Sequence, residues 1–213
     1  GHCVVGVAAS TPADDAASLD ANRGVTGAVL GTMGTMNNVA PFADLTPDVV
    51  LNAIDDVGLA VTGTLLALNS YENRVFQIGV EGELRFAVAK FYRPARWTDA
   101  QILEEHAFSQ ELADAEVPAV PPLALGGRTL HPHGGHRFAV YPRRGGRAPE
   151  LEDRSVREWL GRFIGRIHAV GSRQPFAQRP ALDVESFGVE PRDYVLASRW
   201  LPPELREVYA GVS

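Results

Sequence analysis

Lysine is almost missing from this chain: nineteen arginines carry every other fixed positive charge, and Lys90 is the single lysine. A position that stays lysine in such a chain favours a role that arginine cannot fill, namely a compact ammonium on a flexible stem. Lys90 lies near the end of an apolar run, residues 85–92, that has the composition of a core strand. An ammonium on such a strand is typical of an anion-binding group, and phosphate is the usual anion. The alternative is a surface lysine at a strand end, with the arginines reflecting the base composition of the gene.

Cysteine and long apolar runs are also scarce. The single cysteine, Cys3, excludes a disulfide framework and a cysteine-based metal site, and it fits a reducing compartment, so we expect a cytoplasmic protein. No apolar stretch approaches the roughly 20 residues that a bilayer-spanning helix needs. The N-terminus lacks a basic segment followed by an apolar one, so a secretory signal is not expected. We therefore expect no membrane partner.

The charge of the chain is acidic and unevenly spread. A net charge of −6 argues against a general nucleic-acid binder. Residues 1–127 carry six basic and sixteen acidic side chains, whereas residues 128–213 carry fourteen arginines and ten acidic side chains. The plain interpretation is solvated arginine on helix faces, and the alternative is an acidic partner for the later half.

The first 35 residues differ from the rest, since they are rich in Ala, Gly, Thr and Val and contain no Phe, Tyr or Trp. We expect residues 1–35 to be a disordered or non-native tail, with Met36 as a sensible natural start. An N-terminal lobe built on a small sheet is expected at 36–142. A hinge and an incomplete helical lobe are expected at 143–213.

The order of local signals predicts an α+β fold: a small antiparallel sheet with one helix, followed by helices. Thr46 and Pro47 open the first helix, and Thr98 with Gln101 forms a capping box that opens the second. Strands are expected at 61–68, 74–78, 84–91, 123–125, 128–130 and 136–141. A Gly/Arg-rich linker at 142–147 precedes an amphipathic helix at 151–170, and short helical pieces are expected at 191–197 and 203–208.

The helix after Lys90 carries two adjacent acids, Glu104 and Glu105. A strand lysine paired with a glutamate of the next helix is the arrangement that holds ATP phosphates in protein kinases. Neighbouring helical residues point about 100° apart, so only one of the two can face the lysine. The alternative is that both are solvated acids near the start of the helix.

The segment between the first two strands, residues 68–75, lies where a kinase places its phosphate-covering loop. It contains no glycine, but backbone N–H groups and the Ser70 hydroxyl can still hold a phosphate. The alternative is an ordinary turn built from Asn and Ser.

Several short runs of residues closely resemble the bacterial stress response kinase A family, which are serine/threonine protein kinases with an aminoglycoside-phosphotransferase-like fold. The strongest are NSYENRV at 69–75, KFYRP at 90–94, RW at 96–97 and QILEEH at 101–106. Further matches are EVP at 116–118, FAV at 138–140, GGR at 145–147, GRIH at 165–168 and EPR at 190–192. The resemblance spans roughly residues 36–210.

This resemblance implies an ATP site in the first lobe. Ser70 and its neighbours would cover the ATP phosphates, and Lys90 would contact them. Glu105 rather than Glu104 would pair with Lys90, because apolar residues three and seven positions later then pack beneath it.

The resemblance also implies a hinge that meets adenine through its backbone, from Tyr141 to Arg144. Pro142 has no N–H, but its carbonyl can accept a hydrogen bond from the adenine amino group. The N–H of Arg144 is then the natural donor.

One part of a kinase is absent from the sequence. The family's catalytic Asp and Asn, and the Asp that binds Mg²⁺, lie in a His-Gly-Asp loop and a later strand that we expect beyond Ser213. We therefore expect an N-terminal portion, inactive alone, of a kinase that is a monomer at full length and uses ATP and Mg²⁺ to phosphorylate Ser or Thr of a protein. The alternatives are a small-molecule kinase of the same fold, acting on an aminoglycoside, a choline-like alcohol or homoserine, and a non-catalytic nucleotide-binding or interaction module.

The remaining candidate functional residues are interpreted as structural. The histidines at 131, 133 and 136 are spaced closely enough for a metal, but Pro132 and two glycines favour an exposed hairpin turn. His168 is expected in the core or at a helix end. Trp97 and Trp159 are expected to be core aromatics.

Overall fold

A computed structural model describes residues 41–146 and 148–212. The chain divides into two compact units, the first ending at Arg173 and the second beginning at Gln174. The expected tail, residues 1–35, and the expected start at Met36 lie outside the described residues. The lobe boundary expected after residue 142 stays a prediction.

The first unit is built on a five-stranded antiparallel sheet with the strand order β1-β2-β3-β5-β4. Its strands are β1 (Val61–Leu68), β2 (Arg74–Val80), β3 (Phe86–Tyr92), β4 (His131–His133) and β5 (His136–Pro142). The α+β class and the first three strands agree with the predictions. Because β3 lies at the centre of the sheet, its side chains are flanked by neighbours on both sides.

One face of the sheet is covered by helix α1 (Pro47–Asp56). The Thr46 hydroxyl accepts a hydrogen bond from Val49 N, which caps the helix as predicted. The buried side chains of α1 and of this sheet face form the main core; they are Val50, Ala53, Ile54, Ile78, Val80, Ala87, Ala89, Phe91, Phe138 and Val140. Burial of this apolar surface is the main force that holds the unit together.

The opposite face is partly covered by helix α2 (Asp99–Asp114). The predicted capping box is present: Gln101 N donates to Thr98 Oγ1, and Thr98 N donates to Gln101 Oε1. Ile102 of α2 packs against Tyr92 and Ala139 of the sheet in a second apolar cluster. The helix therefore starts at a defined residue and lies on the side of β3 that carries Lys90.

Helix α3 (Arg154–Gly171) follows an irregular segment after β5 and packs against the C-terminal end of α2. Its buried residues Phe163 and Val170 meet Leu112 of α2 and Val117. Arg166 Nη2 also lies 2.8 Å from the carbonyl oxygen of Glu116, just after α2 ends. A cation at helix-end carbonyls is electrostatically favourable.

The second unit contains only short helical segments. A π-helical turn (Glu185–Val189) continues into α4 (Glu190–Ala197), and a 3₁₀ turn (Pro203–Leu205) continues into α5 (Arg206–Val212). These segments lie where short helical pieces were predicted. No helix among the described residues is both long and apolar enough to cross a membrane.

The predictions for the segment before β5 were wrong in part. Residues 123–125 and 128–130 do not form strands; they are joined by a single bridge between Leu125 and Arg128. Gly126 and Gly127 both have positive φ angles and form a two-residue hairpin turn, but the pairing around this turn is limited to that one bridge. The edge strand β4 begins later, at His131, and contains Pro132, which an edge position tolerates.

The predictions for the histidine cluster and for Trp159 also need correction. His131 and His136 are buried and not in an exposed turn, because they pack against Phe138, Phe91 and Phe42; only Gly134 and Gly135 form the turn itself. Trp159 is 38% exposed, and its ring stacks on Phe163 at the rim of the α2–α3 contact. His168 is exposed in the last turn of α3, which agrees with a helix-end position and not with a core one.

Candidate functional site

Lys90 and Glu105 form a direct ion pair on the α2 side of the sheet. Lys90 Nζ lies 3.0 Å from Glu105 Oε1, and both side chains are partly exposed, at 24% and 35%. The Lys90 ammonium also lies 4.7 Å from the centre of the Tyr92 ring. The pair is thus formed by Glu105 and not by Glu104, and it remains accessible to a ligand.

The sheet register explains why Lys90 lies beside an open surface. Cross-strand partners point to the same face, and the row through Lys90 runs Leu68, Val75, Lys90, Ala139. The next row runs Leu66, Gln77, Val88, Tyr141. We call Leu66, Leu68, Val75, Gln77 and Val88 the open strip, since none of them is fully buried and Leu66 is 54% exposed. A mainly apolar strip that ends at an ammonium is complementary to a ligand with a flat aromatic base and a negatively charged tail.

The open strip was not predicted, although a signal for it exists in the sequence. The hairpin of β2 and β3 pairs Val75 with Lys90, so every second residue of β2 counted from Val75 shares the face of Lys90. Extending that alternation to β1 identifies Leu66 and Leu68.

The loop between β1 and β2 is anchored to the segment between β3 and α2. Glu72 accepts hydrogen bonds from Arg96 Nε and Trp97 Nε1, each at 3.1 Å, and Asn73 Oδ1 accepts from Arg93 N at 3.2 Å. The Trp97 ring is partly buried: its N–H is hydrogen-bonded to Glu72, and the ring packs against the cluster that contains Tyr92. The anchored loop carries Ser70 half-buried beside the strip.

The predicted hinge begins where β5 ends. Tyr141 faces the open strip, and Pro142 is the last residue of β5, paired with Ala87. Burial raises the pKa of Tyr141 to about 12, against the opposing effect of its hydrogen bond with Tyr92. Arg144 is exposed and follows the strand in an irregular segment. The structure thus brings Lys90, Glu105 and Tyr141 to one face, while Ser70 and Arg144 lie at its ends.

A buried polar network next to the ion pair was missed. His106 is 4% exposed; its Nε2 lies 2.7 Å from Tyr92 Oη and its Nδ1 lies 2.9 Å from Thr129 Oγ1. Tyr92 Oη lies a further 3.1 Å from Tyr141 Oη. A histidine directly after the candidate glutamate was a visible signal, but its two hydrogen-bond partners, Tyr92 and Thr129, lie in different parts of the chain.

The histidine cluster near β4 does not form a metal site. Across residues 41–146 and 148–212, no group of three or more His, Cys, Asp or Glu side chains is arranged to hold a metal ion. His133 Nδ1 lies 2.9 Å from Asp56 Oδ2 of α1, which ties the hairpin to that helix. His136 Nε2 lies 3.1 Å from Asp44 Oδ1 but outside hydrogen-bonding geometry. The described residues therefore do not fit a Mg²⁺ site, which needs several oxygen ligands around one point.

An antiparallel sheet, a central-strand lysine and a glutamate of the packed helix 3.0 Å from that lysine are together typical of the N-terminal lobe of a kinase-like fold. The profile of the phosphotransferase enzyme family (APH) matches residues 64–211. The chain belongs to this family.

Two curated relatives share 43% identity with the chain. Stress response kinase A of Escherichia coli O157:H7 aligns over 175 residues, which is 82% of this chain and 53% of the relative. Serine/threonine protein kinase RdoA of Salmonella typhimurium (strain LT2) aligns over 156 residues, 73% of this chain and 47% of the relative. The chain spans about half the length of the curated relatives it matches.

A solved structure of amicoumacin kinase hAmiN, in complex with AMP-PNP, Ca²⁺ and Ami, has a similar fold. The TM-score is 0.53 at 17% sequence identity, and the match covers 70% of this chain and 52% of that chain. The fold class predicted from the sequence is confirmed by this likeness and by the family match.

Proposed function

We propose that this chain is the ATP-binding portion of a serine/threonine protein kinase of the stress response type. The observation that carries the proposal is the Lys90–Glu105 pair at the end of the open strip. In this proposal the adenine lies on the strip, with Tyr141, Pro142 and Arg144 along its edge. The triphosphate extends toward Lys90 under the loop that carries Ser70.

Each residue has a distinct part in this proposal. The Lys90 ammonium neutralises charge on the phosphates, and Glu105 holds the ammonium on the correct side of β3. The Glu72 anchors keep the Ser70 loop beside the strip without glycine, because they tie its far end to Arg96 and Trp97. Positioning and electrostatics supply most of the rate in phosphoryl transfer, so a preformed pair is the feature such an enzyme needs.

The acceptor is proposed to be a protein Ser or Thr because two relatives at 43% identity are named as stress response or serine/threonine kinases. The catalytic Asp, the following Asn and the Mg²⁺ ligands are proposed to lie in sequence that follows residue 213 in the longer protein. The full-length protein is further proposed to be a cytoplasmic monomer.

The test compares ATP with adenosine in calorimetric titrations of the chain and of Lys90→Met. Because Lys90 is proposed to meet phosphate and not the base, Lys90→Met should weaken ATP binding about 10- to 100-fold and leave adenosine binding unchanged. Lys90→Arg should also weaken ATP binding, since the broad planar guanidinium does not replace a point-like ammonium.

The matched control is Arg154→Met, which removes a cation from an 85% exposed side chain of α3 and should leave both affinities unchanged. ATP binding by Lys90→Met at the affinity of the unmodified chain would refute the phosphate role. In the longest natural chain, transfer of labelled phosphate only to small alcohols would identify a small-molecule kinase, and binding without any turnover would identify a non-catalytic module.

A further inference from the structure

Helix α2 and strand β3 are joined by two adjacent links that differ in environment. Lys90 and Tyr92 are two residues apart on the same face of β3, and their partners Glu105 and His106 are neighbours on α2. The first link is partly exposed, whereas the second is buried, with Tyr92 2% and His106 4% exposed. The two links therefore fix the same portion of the helix against the same portion of the strand.

The buried link is the stronger constraint on the helix. A partly exposed ion pair is screened by solvent and holds its partners weakly. The 2.7 Å contact between Tyr92 Oη and His106 Nε2 lies in a low-dielectric interior, where a hydrogen bond is stronger than in water and costly to break. Rotation of α2 about its axis that frees Glu105 must therefore also break the contact of His106.

The His106 ring is itself held at both nitrogens. Nδ1 meets Thr129 Oγ1 at 2.9 Å, and Thr129 precedes β4, so a third element fixes the plane of the ring. A neutral imidazole satisfies both contacts, donating from one nitrogen and accepting at the other. Tyr92 Oη continues the chain to Tyr141 Oη at 3.1 Å, at the end of β5 where the proposed hinge begins.

We propose that His106 is the positioning residue of the Lys90–Glu105 pair, holding α2 against β3 so that the Glu105 carboxylate stays within reach of Lys90 Nζ. Through Tyr92 and Tyr141 the same network ties that helix to the strand that enters the hinge. The position of the pair and the position of the hinge strand are thus set together.

The single lysine makes this testable without a ligand. Expression with isotope-labelled lysine gives one side-chain NMR signal, that of Lys90, and Glu105→Gln supplies the signal of the broken pair. We expect His106→Ala to move the Lys90 signal to the Glu105→Gln position. His106→Gln, whose carboxamide can still meet Tyr92 Oη, should restore most of the unmodified signal.

Two further variants separate positioning from general loss of stability. Leu112→Ala opens a cavity in the same helix two turns away, in the cluster shared with α3, and should leave the Lys90 signal in place. Tyr92→Phe keeps the ring beneath the ammonium but removes the hydroxyl, and it should shift the signal as His106→Ala does. If His106→Ala fails to fold, Tyr92→Phe decides the matter.

The proposal is overturned if folded His106→Ala or Tyr92→Phe keeps the unmodified Lys90 signal, or if Leu112→Ala shifts it equally. A second measurement rests on the proposed function: His106→Ala should weaken ATP binding about 10-fold and adenosine binding by a smaller factor, because only ATP loses the placed ammonium. A chain that binds no ATP at all would refute the proposed function, and the Lys90 signal would still decide the role of His106.

Discussion

The buried histidines of this chain lie in two different environments. His106 has a hydrogen-bond partner at each ring nitrogen. His131 is 6% exposed, its ring centre lies 5.4 Å from that of Phe138, and its Nε2 has no hydrogen-bond partner among the described residues. Burial lowers the pKa of His131 below its usual 6.5, because a charged imidazolium is poorly solvated there.

This lowered pKa predicts a loss of stability in mild acid. Below about pH 6.5 the unfolded chain takes up a proton that the folded His131 resists, so the free energy of unfolding falls as pH falls. Urea unfolding between pH 8 and pH 5 should show this slope, and His131→Leu should reduce it. His168→Gln, which changes an exposed histidine, should keep the full slope; equal slopes in all three proteins would contradict the assignment.

Residue types and spacing were enough to predict which side chains could meet at the ion pair. Short stretches of sequence show a lone lysine on an apolar strand and, fifteen residues later and after a capping box, a glutamate on a helix. Strands and helices have regular geometry, so the approach of these two side chains can be expected. Their part in nucleotide binding stays a prediction. The hydrogen bonds of His106 were not predictable in the same way, because Tyr92 and Thr129 meet it from segments whose positions follow only from the packed fold.

Helix α2 ends in a way that stores a small amount of strain. Val117 N donates to Leu112 O and Glu116 N donates to Ala113 O, which is the pattern of a Schellman ending. Glu116 occupies the left-handed position, with φ of 57°, where glycine is the favoured residue. The acid side chain is exposed, so its replacement removes little packing.

We therefore predict that Glu116→Gly stabilises the chain by about 0.5 to 1 kcal/mol, because it relieves the left-handed strain while keeping both backbone bonds and the Arg166 contact. Thermal or urea unfolding measures this directly. Ala113→Gly is the matched comparison: the same residue placed within the helix should destabilise by about 1 kcal/mol. A loss of stability in Glu116→Gly would contradict the ending described here.

Elements with strong local end signals were predicted well, and those without them were not. Thr46, Thr98 and the hairpin between β2 and β3 place their elements within about two residues of the structure. The stretch before β5 has strand-like composition and turns at Gly126 and Gly127, but it pairs only in the single bridge between Leu125 and Arg128. The burial of His136 depends on Phe42 and Phe91, which are far away in the sequence.

The two compact units differ in how much side-chain surface they bury. The first contains three clusters of buried residues. In the second, no side chain among residues 174–212 is buried, and large apolar side chains are exposed. The most exposed are Leu182, Val184, Phe187, Tyr194, Trp200, Val208 and Val212. Short helices without tertiary packing are marginal in water, so the stability of the chain resides in the first unit.

This uneven burial predicts the behaviour of the whole chain in solution. Apolar exposure on this scale, together with exposed Trp159 and Ile164 on α3, favours association, so the chain should bind a hydrophobic dye and self-associate as its concentration rises. Hydrogen exchange should be slowest in β3 and β5 and near the unprotected rate in residues 185–212, because opening the second unit exposes little new apolar surface. Light scattering and exchange mass spectrometry measure the two effects separately. The opposite outcome is a monodisperse chain that binds no dye and melts in one cooperative step, with residues 185–212 protected as strongly as β3. That outcome would show that the second unit contributes to a common core.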